Sequence, residues 1–253
     1  MDLGLTGKVV IVTGAASGIG AAVARVAGTE GAVLFLTDRD EAGLQRIAAD
    51  LGAACLTADL VGAAAPLVVV SACVARFGRV DGLVNAAGLT TRGSFVTGSA
   101  EVWDQLFAVN ARAGFLMMQA IMADMLARRA PGSIVNILSM NAHCGIPDLA
   151  IYAATKGAMA TLTRNAAHAH MADRIRVNGI HLGWVATEAE DRMQAVVLGK
   201  GPGWQAEAAA GLPLGRLVTA DEAARLAAFL LGAASDPMSG ALIDFEQKVA
   251  GAI

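Results

Sequence analysis

Apolar residues in this chain fall into short runs separated by longer stretches of helical spacing. Val9–Val12, Val33–Leu36, Leu83–Val84, Ile134–Leu138 and Val177–Ile180 are β-branched or leucine-rich, and Ala241–Phe245 makes a last run of this kind. Runs that are apolar rather than strictly alternating suit strands buried on both faces of a parallel sheet. Between them lie helix-compatible segments at Gly18–Thr29, Asp40–Leu51, Pro66–Phe77, Ala100–Arg129, Tyr152–His170 and Ala220–Leu231. Strand–helix alternation at this spacing predicts right-handed βαβ units, hence a doubly wound α/β sheet with helices on both faces. No repeat, low-complexity tract or linker divides residues 1–253, so one domain is expected. Residues 183–212 break the alternation, with Gly199, Gly201, Pro202, Gly203 and Gly211. A long segment of this kind in a compact domain reads as a functional lid.

Ligands of such sheets bind beyond the carboxyl ends of the strands, and the strand ends here carry chemistry. The first run leads into T-G-A-A-S-G-I-G, Thr13 to Gly20. Gly14, Gly18 and Gly20 permit a tight turn and close backbone approach to a pyrophosphate, with a helix N-terminus behind it. The second run ends at Asp38, whose carboxylate can accept both adenosine ribose hydroxyls and would repel a 2′-phosphate. Arg39 beside it suits NADP instead, but Ser17 rather than a basic residue precedes Gly18, so NAD is expected over NADP. Read alone, Asp38 is equally a cap for the helix from Asp40. Further on stands A-I-Y-A-A-T-K-G, Ala150 to Gly157, holding the only tyrosine of the chain. Lys156 follows Tyr152 on the same helix face. The pair is either a surface pair or a general acid/base with the charge that tunes it.

Bulk properties narrow the classes. A net charge of -3 and no run of five basic residues argue against nucleic acid as partner. The apolar stretch Leu60–Ala75 is interrupted by Gly62, Pro66 and Ser71, too short to cross a membrane, and reads as a turn followed by a helix. The N-terminus lacks the basic and apolar regions of a signal peptide, and Cys55, Cys73 and Cys144 have no metal-ligand spacing, so a reduced, cytoplasmic protein is expected. His168 and His170 share a helix without a third ligand, and no metal is expected. A mean hydropathy of +0.55 points to burial between subunits or to abundant alanine and glycine.

Taken in order, T-G-A-A-S-G-I-G, N-A-A-G (Asn85 to Gly88), Ser139 at a strand end and Y-A-A-T-K resemble the short-chain dehydrogenase/reductase family. The resemblance runs over essentially the whole chain. It implies a Rossmann-like domain with seven parallel strands, usually assembled as a tetramer through the long helices Ala100–Arg129 and Tyr152–His170. It implies that Gly14, Ser17, Gly18, Ile19 and Gly20 line the pyrophosphate and nicotinamide ribose, and that Asp38 holds the adenosine ribose. Asp59 and Leu60 would flank adenine, Asn85, Ala86 and Gly88 would lie along the cofactor, and Val185 and Thr187 would hold the carboxamide. Asn110, Ser139, Tyr152 and Lys156 match the catalytic tetrad. Tyr152 is then the proton-transfer group, Lys156 its tuner, Ser139 the holder of the substrate oxygen and Asn110 the support for a water relay.

Two departures from the family pattern stand out: Leu182-Gly183 replaces Pro-Gly, and Asp244-Phe245-Glu246 stands where Asp-Gly is usual. Substrate contacts are expected from Asn141, His143, Cys144, Trp184, Glu190, Arg192 and Trp204. His143 reads as a loop residue rather than a second base, and Trp184 as a sugar-stacking wall or an anchor for the lid. Polar groups beside two tryptophans favour a sugar or polyol. The alternatives are a 3-oxoacyl thioester reductase, acting on acyl carrier protein or CoA substrates, and a non-catalytic NAD-binding regulatory or scaffold protein.

Overall fold

The computed structural model describes residues 2–143 and 145–250, so Cys144 lies outside the described residues. The first part of the chain alternates as β1 (Val9–Thr13), α1 (Gly18–Thr29), β2 (Val33–Asp38), α2 (Glu41–Leu51), β3 (Ala54–Thr57), α3 (Ala65–Phe77) and β4 (Gly82–Asn85). There follow α4 (Ala100–Phe107), a π-helical stretch Ala108–Ala113, α5 (Gly114–Arg128), β5 (Gly132–Ser139), α6 (Ala150–His170) and β6 (Ile175–Leu182). The rest comprises β7 (Val185–Ala186), α7 (Glu188–Asp191), a second π stretch Arg192–Val197, α8 (Trp204–Ala210), β8 (Val218–Thr219), α9 (Ala220–Leu231) and β9 (Leu242–Phe245).

Seven parallel strands form one sheet in the order β3-β2-β1-β4-β5-β6-β9, as the Rossmann-like reading requires. Val10 and Val12 face a core shared with α1, α2 and α9, whereas Val9 and Ile11 face one shared with α3, α5 and α6. Burial on both faces is why these strands read as runs rather than alternations. The alanines have a use inside: Ala21, Ala24 and Ala27 of α1 share that core with Ala223, Ala224, Ala227 and Ala228 of α9, all buried. Much of the high hydropathy is thus accounted for within one chain. The order of strands reverses between β1 and β4, and that switch point opens the crevice in which a ligand can lie.

Three elements differ from the sequence expectation. β3 has only four residues, Ala54–Thr57, too few and too mixed to show a period. The segment expected as one helix over Ala100–Arg129 is α4 and α5 joined through the π stretch that carries Asn110. The lid begins with helical pieces rather than loop, and β7 pairs with β8 at its base, so the excursion closes at Val218 rather than at residue 212. Leu60–Ala75 is indeed a turn entering α3, with Pro66 in the first helical turn. Ala100–Arg128 is long and apolar enough to cross a membrane by length and composition, but more than half of its apolar window is buried inside the protein. Met117, Ile121 and Met125 pack there against the sheet, which identifies it as a core helix.

Candidate active site

The glycine turn is held by backbone geometry. Gly14 has φ +68°, and a Cβ there would come within 2.8 Å of the Ala87 backbone; at Gly20 a Cβ would overlap the Gly14 carbonyl. Thr13 Oγ1 accepts hydrogen bonds from the N–H groups of Ala86 and Ala87, both at 3.1 Å, which fixes the N-A-A-G segment beside the turn. Ser17 opens α1 without a side-chain cap bond, and no acidic residue occupies the first turn. The leading N–H groups of α1 thus face no carboxylate of their own, which suits a pyrophosphate. Asp38 Oδ2 accepts from Ala16 N at 3.0 Å and Oδ1 from Asp40 N at 3.0 Å, so the carboxylate stands over the turn. Asp40, not Asp38, caps α2, through Gly43 N at 3.2 Å. These residues fit a dinucleotide.

Other expected cofactor residues are placed less uniformly. Arg39 and Asp59 are exposed, while Leu60 is buried and lines a small cavity with Thr13, Asn85, Asn110 and Lys156. The Asn85 amide is turned into the sheet, donating to Asn136 Oδ1 at 2.8 Å, and Asn136 donates onward to Thr163 at 2.9 Å. Its part is to join β4, β5 and α6. Gly88 leaves space where an added Cβ would lie 3.7 Å from Lys156 Nζ. Val185 is buried in β7, and Thr187 places its methyl 3.4 Å from where a Gly18 Cβ would be, so the lid base touches the glycine turn. Ile19 is half-buried at the start of α1.

The tetrad converges where β5, the π stretch and α6 meet. Ser139 ends β5; its Oγ accepts from Asn141 N at 3.2 Å and Asn141 Nδ2 at 3.3 Å, leaving its own proton free to donate. Asn141 thus positions Ser139, and its Oδ1 pins the loop by accepting from Ile146 N at 3.1 Å. Tyr152 and Lys156 lie one turn apart on α6 and are both buried, with Lys156 Nζ 5.8 Å from the Tyr152 ring centre. Lys156 Nζ donates to the Ile137 carbonyl at 2.8 Å. Asn110 accepts from Leu89 N at 2.8 Å and donates to Leu89 O at 2.9 Å and Thr155 Oγ1 at 3.1 Å. Its side chain is therefore fully engaged. The adjoining cavity, about 10 Å³, is near the lower limit that admits one water. A π turn, which reorients side chains within a helix, recurs at functional sites.

Burial governs the titration of both groups. Desolvation pushes the Tyr152 phenol up from its ordinary value; the Ser139 hydroxyl opposes this, Glu190 reinforces it, and Arg92 opposes it. Burial pulls Lys156 down to about 8. The depressed phenol expected from the lysine is therefore not a property of the chain by itself, because desolvation outweighs the neighbouring charges.

The lid gathers the remaining polar groups. Glu190 Oε1 accepts from Trp184 Nε1 at 2.8 Å and Gln194 Nε2 at 2.7 Å. Trp204 is 1% exposed and donates to Asp191 at 2.8 Å, so it anchors the lid from inside rather than facing a substrate. Arg192 is exposed at the start of the second π stretch, and His143 is bonded to Asp244 at 2.8 Å. The two departures from the family pattern meet here: the Glu246 carboxylate occupies the space a Gly183 side chain would need, and accepts from Trp184 N at 3.3 Å. Sequence reasoning missed Arg92, whose only signal was its position four residues after N-A-A-G.

The chain belongs to the short-chain dehydrogenase/reductase family and is an oxidoreductase acting on alcohol groups. Over residues 14–246 it matches the family described as enoyl-(acyl carrier protein) reductase. It is 38% identical, over 83% of this chain and 91% of the other, to inactive 2-(S)-hydroxypropyl-CoM dehydrogenase 2 of Xanthobacter autotrophicus. With D-threitol dehydrogenase of Mycolicibacterium smegmatis the identity is 35%, over 95% and 92% of the two chains. The crystal structure of L-sorbose reductase from Gluconobacter frateurii, complexed with NADPH and L-sorbose, superposes with a TM-score of 0.93 over the full length of both chains at 26% identity.

Proposed function

We propose that the protein interconverts a secondary alcohol and a ketone on a sugar or polyol, using NAD. The observation that carries this reading is the convergence of Ser139, Tyr152 and Lys156 beside the polar lid group Glu190. In the oxidation direction Tyr152 takes the hydroxyl proton and Ser139 donates to the substrate oxygen, holding the charge that develops there. NAD, when bound, supplies the hydride acceptor and a positive charge near the phenol. Lys156 holds its proton at Nζ against the Ile137 carbonyl, next to the cavity where a water can pass the proton on; Asn110 shapes that cavity rather than offering its amide. Asp38 is free to accept ribose hydroxyls with its remaining lone pairs, which supports NAD; the NADPH of the sorbose reductase complex supports the other cofactor.

A 3-oxoacyl thioester is the second reading, favoured by exposed apolar residues on two site-side segments: Phe95 and Val96 after β4, and Val196 and Val197 in the lid. A non-catalytic role is disfavoured by the complete tetrad. Exposed Trp103 and Phe115 on α4 and α5 support assembly into a homotetramer through that surface; a monomer by light scattering would refute it. The decisive experiment is a spectrophotometric screen of polyols, sugars and 3-hydroxyacyl esters with NAD and NADP side by side. NADH formation with polyols, at a kcat/KM at least about tenfold above that with NADP, is expected. Preference for NADP would remove the Asp38 argument, and turnover confined to acyl esters would establish the second reading.

A further inference from the structure

At the carboxyl ends of β5, β6 and β9, three side chains from distant parts of the chain share one point. His181 on β6 and Asp244 on β9 are register partners on adjacent strands, so their backbones are fixed side by side. His143, in the loop after β5, reaches the same carboxylate. Asp244 Oδ1 lies 2.8 Å from His143 Nε2 and 2.9 Å from His181 Nδ1. The three ligand atoms lie within 4.8 Å of one another. The two rings meet edge-on, with centres 4.4 Å apart. We propose that His143, His181 and Asp244 form a binding site for a borderline divalent transition ion such as Zn²⁺ or Co²⁺.

Two imidazoles and a carboxylate are the ligand types these ions take, and three protein ligands leave a fourth position for water. With ligand bonds of about 2.0–2.2 Å, tetrahedral neighbours stand roughly 3.4 Å apart. The hydrogen-bonded pairs need to open by about half an ångström to admit the ion. His143 and Asp244 are 42% and 40% exposed, which gives the ion a way in, while His181, 3% exposed, supplies the fixed base of the site. The His181 Nε2 is buried without a partner, so no second hydrogen bond fixes the tautomer, and ligation through Nδ1 requires the tautomer protonated at Nε2. A ligand histidine without an outer partner binds about 10–100-fold more weakly than a supported one. The pair His168 and His170 is not part of the site, since His170 is taken by Asp173 at 2.9 Å.

An ion here ties the loop after β5, whose Asn141 holds Ser139, to β9, and through Glu246 to Trp184. It braces the substrate side of the site without touching the reacting atoms. The test is titration of the chelator-stripped, full-length protein with Co²⁺, read by visible absorption. One cobalt per chain with the intense bands of a tetrahedral site is expected in the wild type and in His168→Ala/His170→Ala. Affinity should fall at least tenfold in His143→Ala and in the isosteric Asp244→Asn. Zn²⁺ at one hundredfold excess over the wild-type Kd should raise Tm by about 5–10 °C in the wild type and by about half that or less in Asp244→Asn. Wild-type spectra no different from free cobalt would overturn the proposal, as would a thiolate charge-transfer band placing the ion on cysteine. Loss of binding in the His168→Ala/His170→Ala variant would do the same.

Discussion

The glycine turn and the lid face each other across the carboxyl ends of the same sheet, yet they are built by different means. In the turn the constraint is steric: Gly14 and Gly20 lack side chains because the Ala87 backbone and the Gly14 carbonyl occupy the space. In the lid the constraint is pairing between side chains, Trp184 and Gln194 to Glu190 and Trp204 to Asp191, on short helical pieces. A steric constraint admits only glycine and breaks when anything is added. A paired constraint admits many residue sets and yields locally. The cofactor side is thus the fixed frame of the molecule, and the substrate side is the part on which specificity can change.

The sharpest way to break the fixed half is Gly14→Ala, which sets a Cβ against backbone that cannot retreat and forces a non-glycine residue to positive φ. Dinucleotide Kd by calorimetry should rise at least about 100-fold, close to 3 kcal/mol; an unchanged Kd would mean the turn relaxes. Trp204→Ala should act differently, by loosening the lid from inside. Substrate KM is expected to rise about tenfold while dinucleotide Kd stays within about threefold, and trypsin should cut sooner within the lid. If both constants moved together, the lid and the turn would be one unit.

Lys156 belongs to the frame, and its burial leaves a pH signature. Its folded pKa, about 8, lies below the ordinary lysine value of 10.5, so the unfolded chain binds more protons between these values. Stability therefore rises with pH across that window, and the burial cost is felt in full below it. Lys156→Met lacks this response. Its stability relative to wild type, by urea unfolding, should decline by up to about 3 kcal/mol between pH 7 and pH 10.5. A constant difference would mean that Lys156 is not desolvated. The smallest effect concerns the charges that reach Tyr152 from Glu190 in the lid and Arg92 after β4. Glu190→Gln should move the ascending limb of the kcat/KM profile for oxidation, which reports the base, to lower pH, and Arg92→Gln should move it to higher pH. Shifts of the same sign would show that neither charge acts directly on the phenol.

The same contrast explains what was legible in the sequence. The turn, N-A-A-G, Ser139 and Tyr152 with Lys156 were readable because each depends on residue types at short, fixed spacing. β1, β2, β5 and β6 were readable as runs because burial on both faces makes them apolar throughout. β3 was not, since Ala54–Thr57 is short and half-buried. No residue type marks a π turn, so the break at Asn110 stayed hidden inside an alanine-rich helix. Trp204 was expected at the substrate because tryptophan serves equally as a stacking wall and as an anchor; burial and Asp191 decide for the anchor. Arg176 gave no signal either, though its guanidinium bonds Ser235 Oγ at 2.7 Å and Gly232 O at 2.8 Å and so ties β6 to the end of α9. Partners of that kind lie more than fifty positions away along the chain.

The claim on which the rest depends is that the one tyrosine of the chain moves the substrate proton. Tyr152→Phe keeps the ring and removes only the hydroxyl, so the fold and dinucleotide Kd should be unchanged. Dehydrogenation of the best alcohol from the screen should fall by at least about 10³ in kcat, in the range by which a positioned acid or base accelerates proton transfer. Full alcohol-dependent reduction of the nicotinamide by this variant would contradict the account.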